Sequence, residues 1–199
     1  MDSSILTTEN FWDYTGKTKG NHWDFTRFNP KHFQHIENCI RRLGELGIEA
    51  DLIMMHPYDR WGFSQMTKEQ DDLYWNYAVA RFSAFANVWW SLANEYDLMP
   101  HKAIQDWERY ASILCEKDPY HHMRSIHNCV SLYYFSRPWI THCSVQRTDL
   151  YKSSEITNEL RERYHKPVVL DEIAYEGDIQ HGWGNLTGEE MLRRFWEAA

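Results

Sequence analysis

Two glutamates in this chain stand where a pair of carboxylates could do chemistry. Glu95 follows the apolar run Asn87-Val88-Trp89-Trp90-Ser91-Leu92, with Asn94 beside it, and Glu172 follows Val168-Val169-Leu170-Asp171. Each run has the length and composition of a buried strand that stops abruptly at polar residues. Two carboxyl groups facing each other across a sugar ring are the minimum equipment for breaking a glycosidic bond. In that chemistry an amide such as Asn94 can bond a sugar hydroxyl next to the scissile carbon. The carboxyl of Glu95 would protonate the leaving oxygen, which requires burial or a neighbouring carboxylate to hold its proton near neutral pH. Glu172 would be the ionised partner. The plainer reading makes both of them surface glutamates at strand-to-loop junctions; two on separate strands, one preceded by Asn, favour catalysis.

Other polar residues gather after the same kind of run. His56, Tyr58 and Asp59 follow one, His127 and Asn128 another, and His142 lies near a further one. Hydrogen bonds to sugar hydroxyls suit these side chains, or orientation of Glu172; for His142 the competing reading is a satisfied core histidine. Trp61 and Trp183 sit in the glycine-flanked stretches Trp61-Gly62-Phe63 and Gly182-Trp183-Gly184. They are candidates for stacking on a sugar face, with loop packing as the alternative. His56, His127, His142 and Asp171 could also be read as ligands of a metal-dependent hydrolase. Their spacing is loose, so no metal or other cofactor is expected.

The elements that must place these residues alternate. Asn29-Pro30 opens a helix that carries Phe33, Ile36, Ile40 and Leu43 at helical spacing and ends at Gly47. A strand is predicted from Ile48 to Met55. Thr67 with Gln70 forms a capping box for a helix reaching about Phe85, which feeds the strand Asn87 to Leu92. Further helices are predicted over Pro100 to Lys117 and Ser153 to Tyr164, and one is capped by Thr187 and Glu190. The remaining strands are Arg124 to His127, Trp139 to Val145 and Val168 to Asp171. Residues 1–28 read as a long aromatic-rich loop pinned by Trp12, Tyr14, Trp23 and Phe25.

Strand and helix in alternation imply a parallel α/β sheet, because parallel strands need crossover connections. No Gly-rich phosphate loop follows the first strand, which disfavours a doubly wound nucleotide-binding sheet. Polar residues at the carboxyl ends of successive strands fit the mouth of a (β/α)8 TIM barrel. A barrel needs eight strands, so the expectation is one incomplete catalytic barrel over 1–199 holding about strands 3 to 7. Unpaired sheet edges would make such a segment a poor stable monomer.

Composition narrows the partners. The net charge of −8 argues against nucleic acid, because phosphate recognition needs a basic face. The chain has ten tryptophans, residues suited to flat apolar surfaces, although Trp75, Trp89 and Trp107 read as core. Cys39, Cys115, Cys129 and Cys143 are widely spaced and read as reduced thiols. No apolar stretch of membrane-spanning length and no secretory leader is visible. The expectation is a soluble protein without a membrane partner, cytoplasmic as it stands, with secretion left open should an N-terminal segment be missing.

Trp90 to Glu95 and Val168 to Glu172 resemble the fourth- and seventh-strand signatures of the clan A glycoside hydrolases. More closely, His56 to Phe63, Asn87 to Asp97, Arg124 to Asn128 and Trp183 to Thr187 resemble an apiosidase-like, cellulase-fold subgroup of bacterial polysaccharide-degrading enzymes. The resemblance runs from Trp23 onward. It implies a retaining glycosidase with Glu95 as acid/base, Asn94 as the adjacent amide and Glu172 as nucleophile, acting on an oligo- or polysaccharide. The chain departs from that pattern where an eighth strand would carry an aromatic platform. A non-catalytic carbohydrate-binding barrel remnant is the reading from a different class.

Overall fold

The computed structural model describes residues 24–58, 62–146, 153–179 and 183–198. Asp59 and Trp61, like the expected loop contacts of Trp12, Tyr14 and Trp23, lie outside the described residues. Helix α1 (Pro30–Glu45) starts as its sequence predicts, with the Asn29 side chain accepting from the Lys31 N–H and proline in the first turn. It closes with left-handed Gly47 (φ +71°), and the Ile48 N–H reaches back to Leu43 O at 2.9 Å. Strand β1 (Ala50–Ile53) follows.

Helix α2 (Lys68–Phe82) carries the complete Thr67–Gln70 capping box. It buries Tyr74, Trp75, Ala78, Val79 and Phe82 and leads to strand β2 (Val88–Ser91). Helix α3 (Ile104–Lys117) turns Trp107, Tyr110, Ala111 and Leu114 inward, and strand β3 (Arg124–Ser125) comes next. The second half contains strand β4 (Cys143–Gln146), α4 (Ser153–Tyr164), β5 (Val168–Glu172) and α5 (Gly188–Ala198).

Every pairing is parallel. β1, β2 and β3 form one short sheet in that order, and β4 and β5 form a second. The two sheets are stitched where β3 meets the start of β4. Thr141 N–H donates to Arg124 O at 2.9 Å, and Ser125 Oγ donates to His142 O at 2.7 Å. Hydrogen bonds also continue past the strand ends, from Asn94 N to Met55 O and from His127 N to Ala93 O. The residues after β1, β2 and β3 are therefore held side by side in register.

The strands are shorter than the apolar runs suggested. The stretch from Trp139 is the clearest case, because Ile140 N bonds Arg137 O in a turn around Pro138 and the strand starts only at Cys143. The core contains Trp75, Trp90, Trp107, Tyr110, Phe135 and Cys143, each about fully buried. Trp75 and Trp107 are core as expected, whereas Trp89 is only part-buried and lies 5.4 Å from the His142 ring.

Candidate active site

Glu95 is the first residue beyond β2's polar stop, and its backbone sits in the left-handed region (φ +48°). Such conformations are rare away from glycine and cluster at functional sites. Two backbone bonds hold it there: Leu98 N donates to Glu95 O at 3.0 Å, and the next residue, Tyr96, donates its N–H to His127 O at 2.9 Å. The side chain is buried, 4% exposed, in a nest of polar groups. The Tyr58 hydroxyl donates to Oε2 in a very short contact, Asn94 Nδ2 approaches the same oxygen at 3.4 Å, and, after burial, the carboxylate helps hold the pKa of the neighbouring Cys129 thiol up.

Glu172 ends β5 and is part-buried. Its Oε1 lies 4.0 Å from His127 Nε2, and, after burial, its charge is among the causes that raise the Tyr175 pKa. A bulge between Val145 and Gln146 sets Gln146 opposite Glu172, and Asp171 reaches Ser144 and His127. Neighbouring titrations tie the two glutamates together. The Tyr58 pKa is raised first by its hydrogen bond to Glu95, then by burial, and also by the charges of both Glu95 and Glu172. Tyr175 is raised by burial and by the same two charges, and burial with the neighbouring Glu95 carboxylate pushes Cys129 to about 11. Side chains from three loops are thus perturbed by both carboxylates.

His127 is 3% exposed. Burial alone would lower its pKa, but the hydrogen bond and charge of Asp171, the Gln146 amide and the Glu172 charge outweigh that and raise it. Asp51, on β1, keeps contact with solvent yet is crowded by protein on its other side. Desolvation and the nearby Asp171 lift it to about 6, with His127 acting against them.

Of the expected site residues, Glu95, Asn94, Tyr58, His127 and Glu172 come together. His56 stands above the end of β1, part-buried, its ring 6.4 Å from Tyr58. Trp183 lies 6.2 Å from Tyr175, and its carbonyl accepts from the Tyr175 N–H. His142 is corrected in position: it precedes β4, at the amino end, and is buried to 4% exposure with its pKa lowered by burial. It reads better as a packed histidine facing Trp89 than as a group at the mouth. Asn128, 2% exposed, is likewise withdrawn, and its Oδ1 accepts from Gln146 N at 3.3 Å. Sequence reading missed Tyr175, Cys129 and Gln146. The first two sit within three residues of named site residues, which was the signal available. Among the described residues no group of three metal-type ligands stands in a metal-holding arrangement. A cavity of about 550 Å³ beside Arg161, His165 and Lys166 lies at the amino end of β5, away from both glutamates.

Comparison with known proteins settles the family. The profile of the apiosidase-like catalytic domain matches residues 3–198. The chain belongs to that family. This apiosidase-like domain superposes on a Bacteroides vulgatus ATCC 8482 protein provisionally described as a glycoside hydrolase, with a TM-score of 0.87 and 39% identity. That alignment covers 98% of the chain and 38% of the other protein. A glycoside hydrolase family 5 protein from the same organism gives a TM-score of 0.65 at 17% identity, covering 98% of the chain and 48% of its own length. A third structure, named a glycoside hydrolase, gives 0.67 at 15%, covering 98% and 50%. At those identities the last two show a shared α/β fold alone. The domain thus spans half or less of the length of these relatives. No curated protein matches it. No helix among the described residues is long and apolar enough to cross a membrane.

Proposed function

We propose that this apiosidase-like domain supplies the two catalytic glutamates of a retaining O-glycoside hydrolase, built as one segment (1–199) of a (β/α)8 barrel. Glu172 attacks the anomeric carbon while Glu95 protonates the leaving oxygen. Glu95 then takes a proton from water, which releases the sugar from Glu172. Retention requires the two carboxyl groups about 5–5.5 Å apart, against ~6.5–9.5 Å for inversion. The observation that carries this reading is the shared neighbourhood of the glutamates: Tyr58, Tyr175 and Cys129 are each perturbed by both.

Asn94, Tyr58, Asp59, His56 and His127 then serve substrate or brace the carboxylates, and Trp61 and Trp183 offer faces for a sugar ring. The substrate class is an oligo- or polysaccharide, of plant-type or other complex carbohydrate. The test is a panel of activated aryl glycosides. Glu95→Gln and Glu172→Gln are each expected to abolish turnover, and azide should restore release by Glu95→Ala as a glycosyl azide of retained configuration. Full activity in Glu172→Gln would end the proposal, as would sugar binding without any release.

A further inference from the structure

Between the two carboxylates runs a line of polar side chains, His127 and Gln146 buried and Cys129 part-buried, that bond cleavage itself does not use. His127 Nδ1 faces Asp171 Oδ2 at 3.2 Å and Ser144 Oγ at 3.3 Å. The Ser144 hydroxyl donates its proton to Asp171, so only its lone pair is left for His127. Both partners of Nδ1 are therefore acceptors, and Nδ1 carries hydrogen. On the other side of the ring, Nε2 faces Gln146 Oε1 at 3.0 Å, a further acceptor. The Gln146 amide, 6% exposed, then turns its Nε2 to the Cys129 sulfur at 3.8 Å. The Glu95 carboxylate is an acidic neighbour of that thiol and, after burial, helps to hold its pKa up. Asp97 fixes the position of Cys129 by accepting its backbone N–H at 2.6 Å.

We infer that Gln146 and Cys129 are positioning residues that form a one-way hydrogen-bond chain from His127 to Glu95, holding His127 as an imidazolium beside Glu172 and aiming the Glu95 side chain. Gln146 is the pivot, since one amide satisfies the histidine with its oxygen and the thiol with its nitrogen. The charged groups facing His127 are Asp171 and Glu172 on β5 and Asp51 on β1; Cys129 approaches from the loop after β3. Net negative surroundings suit a cation there. The kinetic part of this inference rests on the two-glutamate reading above; the protonation state of His127 does not.

Nitrogen-15 NMR of the unmodified protein, labelled at histidine, reads the chain directly. The His127 resonances, assigned by their loss in His127→Gln, should show two protonated ring nitrogens at pH 7, and a neutral ring with bare Nε2 would overturn the inference. In Gln146→Leu the His127 titration midpoint should fall by about one pH unit, the equivalent of one hydrogen bond to a charged group. Turnover of an activated aryl glycoside should drop by up to about 100-fold in kcat with KM nearly unchanged. Cys129→Ser, which keeps a donor and an acceptor, should retain most activity where Cys129→Ala does not. Equal activity in those two variants, or an unmoved His127 midpoint in Gln146→Leu, contradicts the chain. Loss of turnover in both glutamate variants with an unmoved midpoint would sink the chain and spare the two-glutamate reading.

Discussion

Around Glu95, one neutral donor does the closest work. The Tyr58 hydroxyl is held on Oε2, and its own titration is pushed well above the usual range. Tyr58→Phe keeps the ring beside His56 and removes only that bond. The expected result is a loss of about 10- to 100-fold in kcat, the value of a hydrogen bond to a charged group. Steady-state kinetics on the same aryl glycoside would check it, and an unchanged kcat would disconnect Tyr58 from Glu95. His127 gives a pH signature of its own. Its folded pKa is raised above 6.5, so the stability it contributes is fully present below 6.5 and disappears as pH climbs through the folded value. Relative to His127→Gln, the parent protein should therefore lose stability on going from pH 6 to pH 9 in denaturant titrations. The two glutamates and His127 could be read from sequence because apolar runs ended at them. Gln146 could not, since its role depends on a bulge that sets it opposite Glu172, and nothing in local spacing announces a bulge.

The elements are held around the site by buried charge. Asp71, on α2, accepts from Lys102 Nζ at 2.7 Å and from the Tyr110 hydroxyl at 2.5 Å, with Arg109 beside it. Lys102 also donates to Met66 O at 3.1 Å, which anchors the segment that descends from Glu95 into α3. Lys102→Met would leave the buried Asp71 carboxylate with only Arg109, at 3.4 Å, as a cation, and is expected to cost about 2–3 kcal/mol, read as a lower urea midpoint. Asp97 ties the turn after Glu95 to the loop after β3, accepting from the backbone N–H groups of Cys129, Val130 and Ser131 at 2.6, 2.8 and 2.7 Å. Burial would raise its pKa, but those three donors pull it below the usual carboxylate value. The clamp is thus intact above pH 3.8 and released as pH falls through its lower folded pKa. Asp97→Ala should loosen that loop, seen as faster amide exchange at 129–131. Helix starts were legible because capping is local, as Thr67 and Gln70 demonstrate. Strand ends were not, because they depend on partners far along the chain, and this is why His142 emerged at the amino end of β4.

At the scale of the whole molecule, every pairing within β1-β2-β3 and β4-β5 is parallel, and hydrogen bonds between β3 and the start of β4 join the two sheets. The alternation of strand and helix was enough to foresee the parallel pairing. β1 and β5 each have no strand partner on one side among the described residues, and α5 exposes Leu192, Phe195 and Trp196 on one stripe. Exposed edges and a contiguous apolar stripe favour association. The 199-residue chain by itself should therefore sediment as a concentration-dependent oligomer, and Phe195→Lys with Trp196→Glu should shift it towards monomer. The central claim, that both glutamates act on one sugar, is tested most directly by trapping the glycosyl-enzyme with activated 2-deoxy-2-fluoroglycosides and mapping the adduct by mass spectrometry. A single fluoroglycosyl group on Glu172, absent from Glu172→Gln, is the predicted result. An adduct on any other residue, or hydrolysis with inverted configuration, would contradict it.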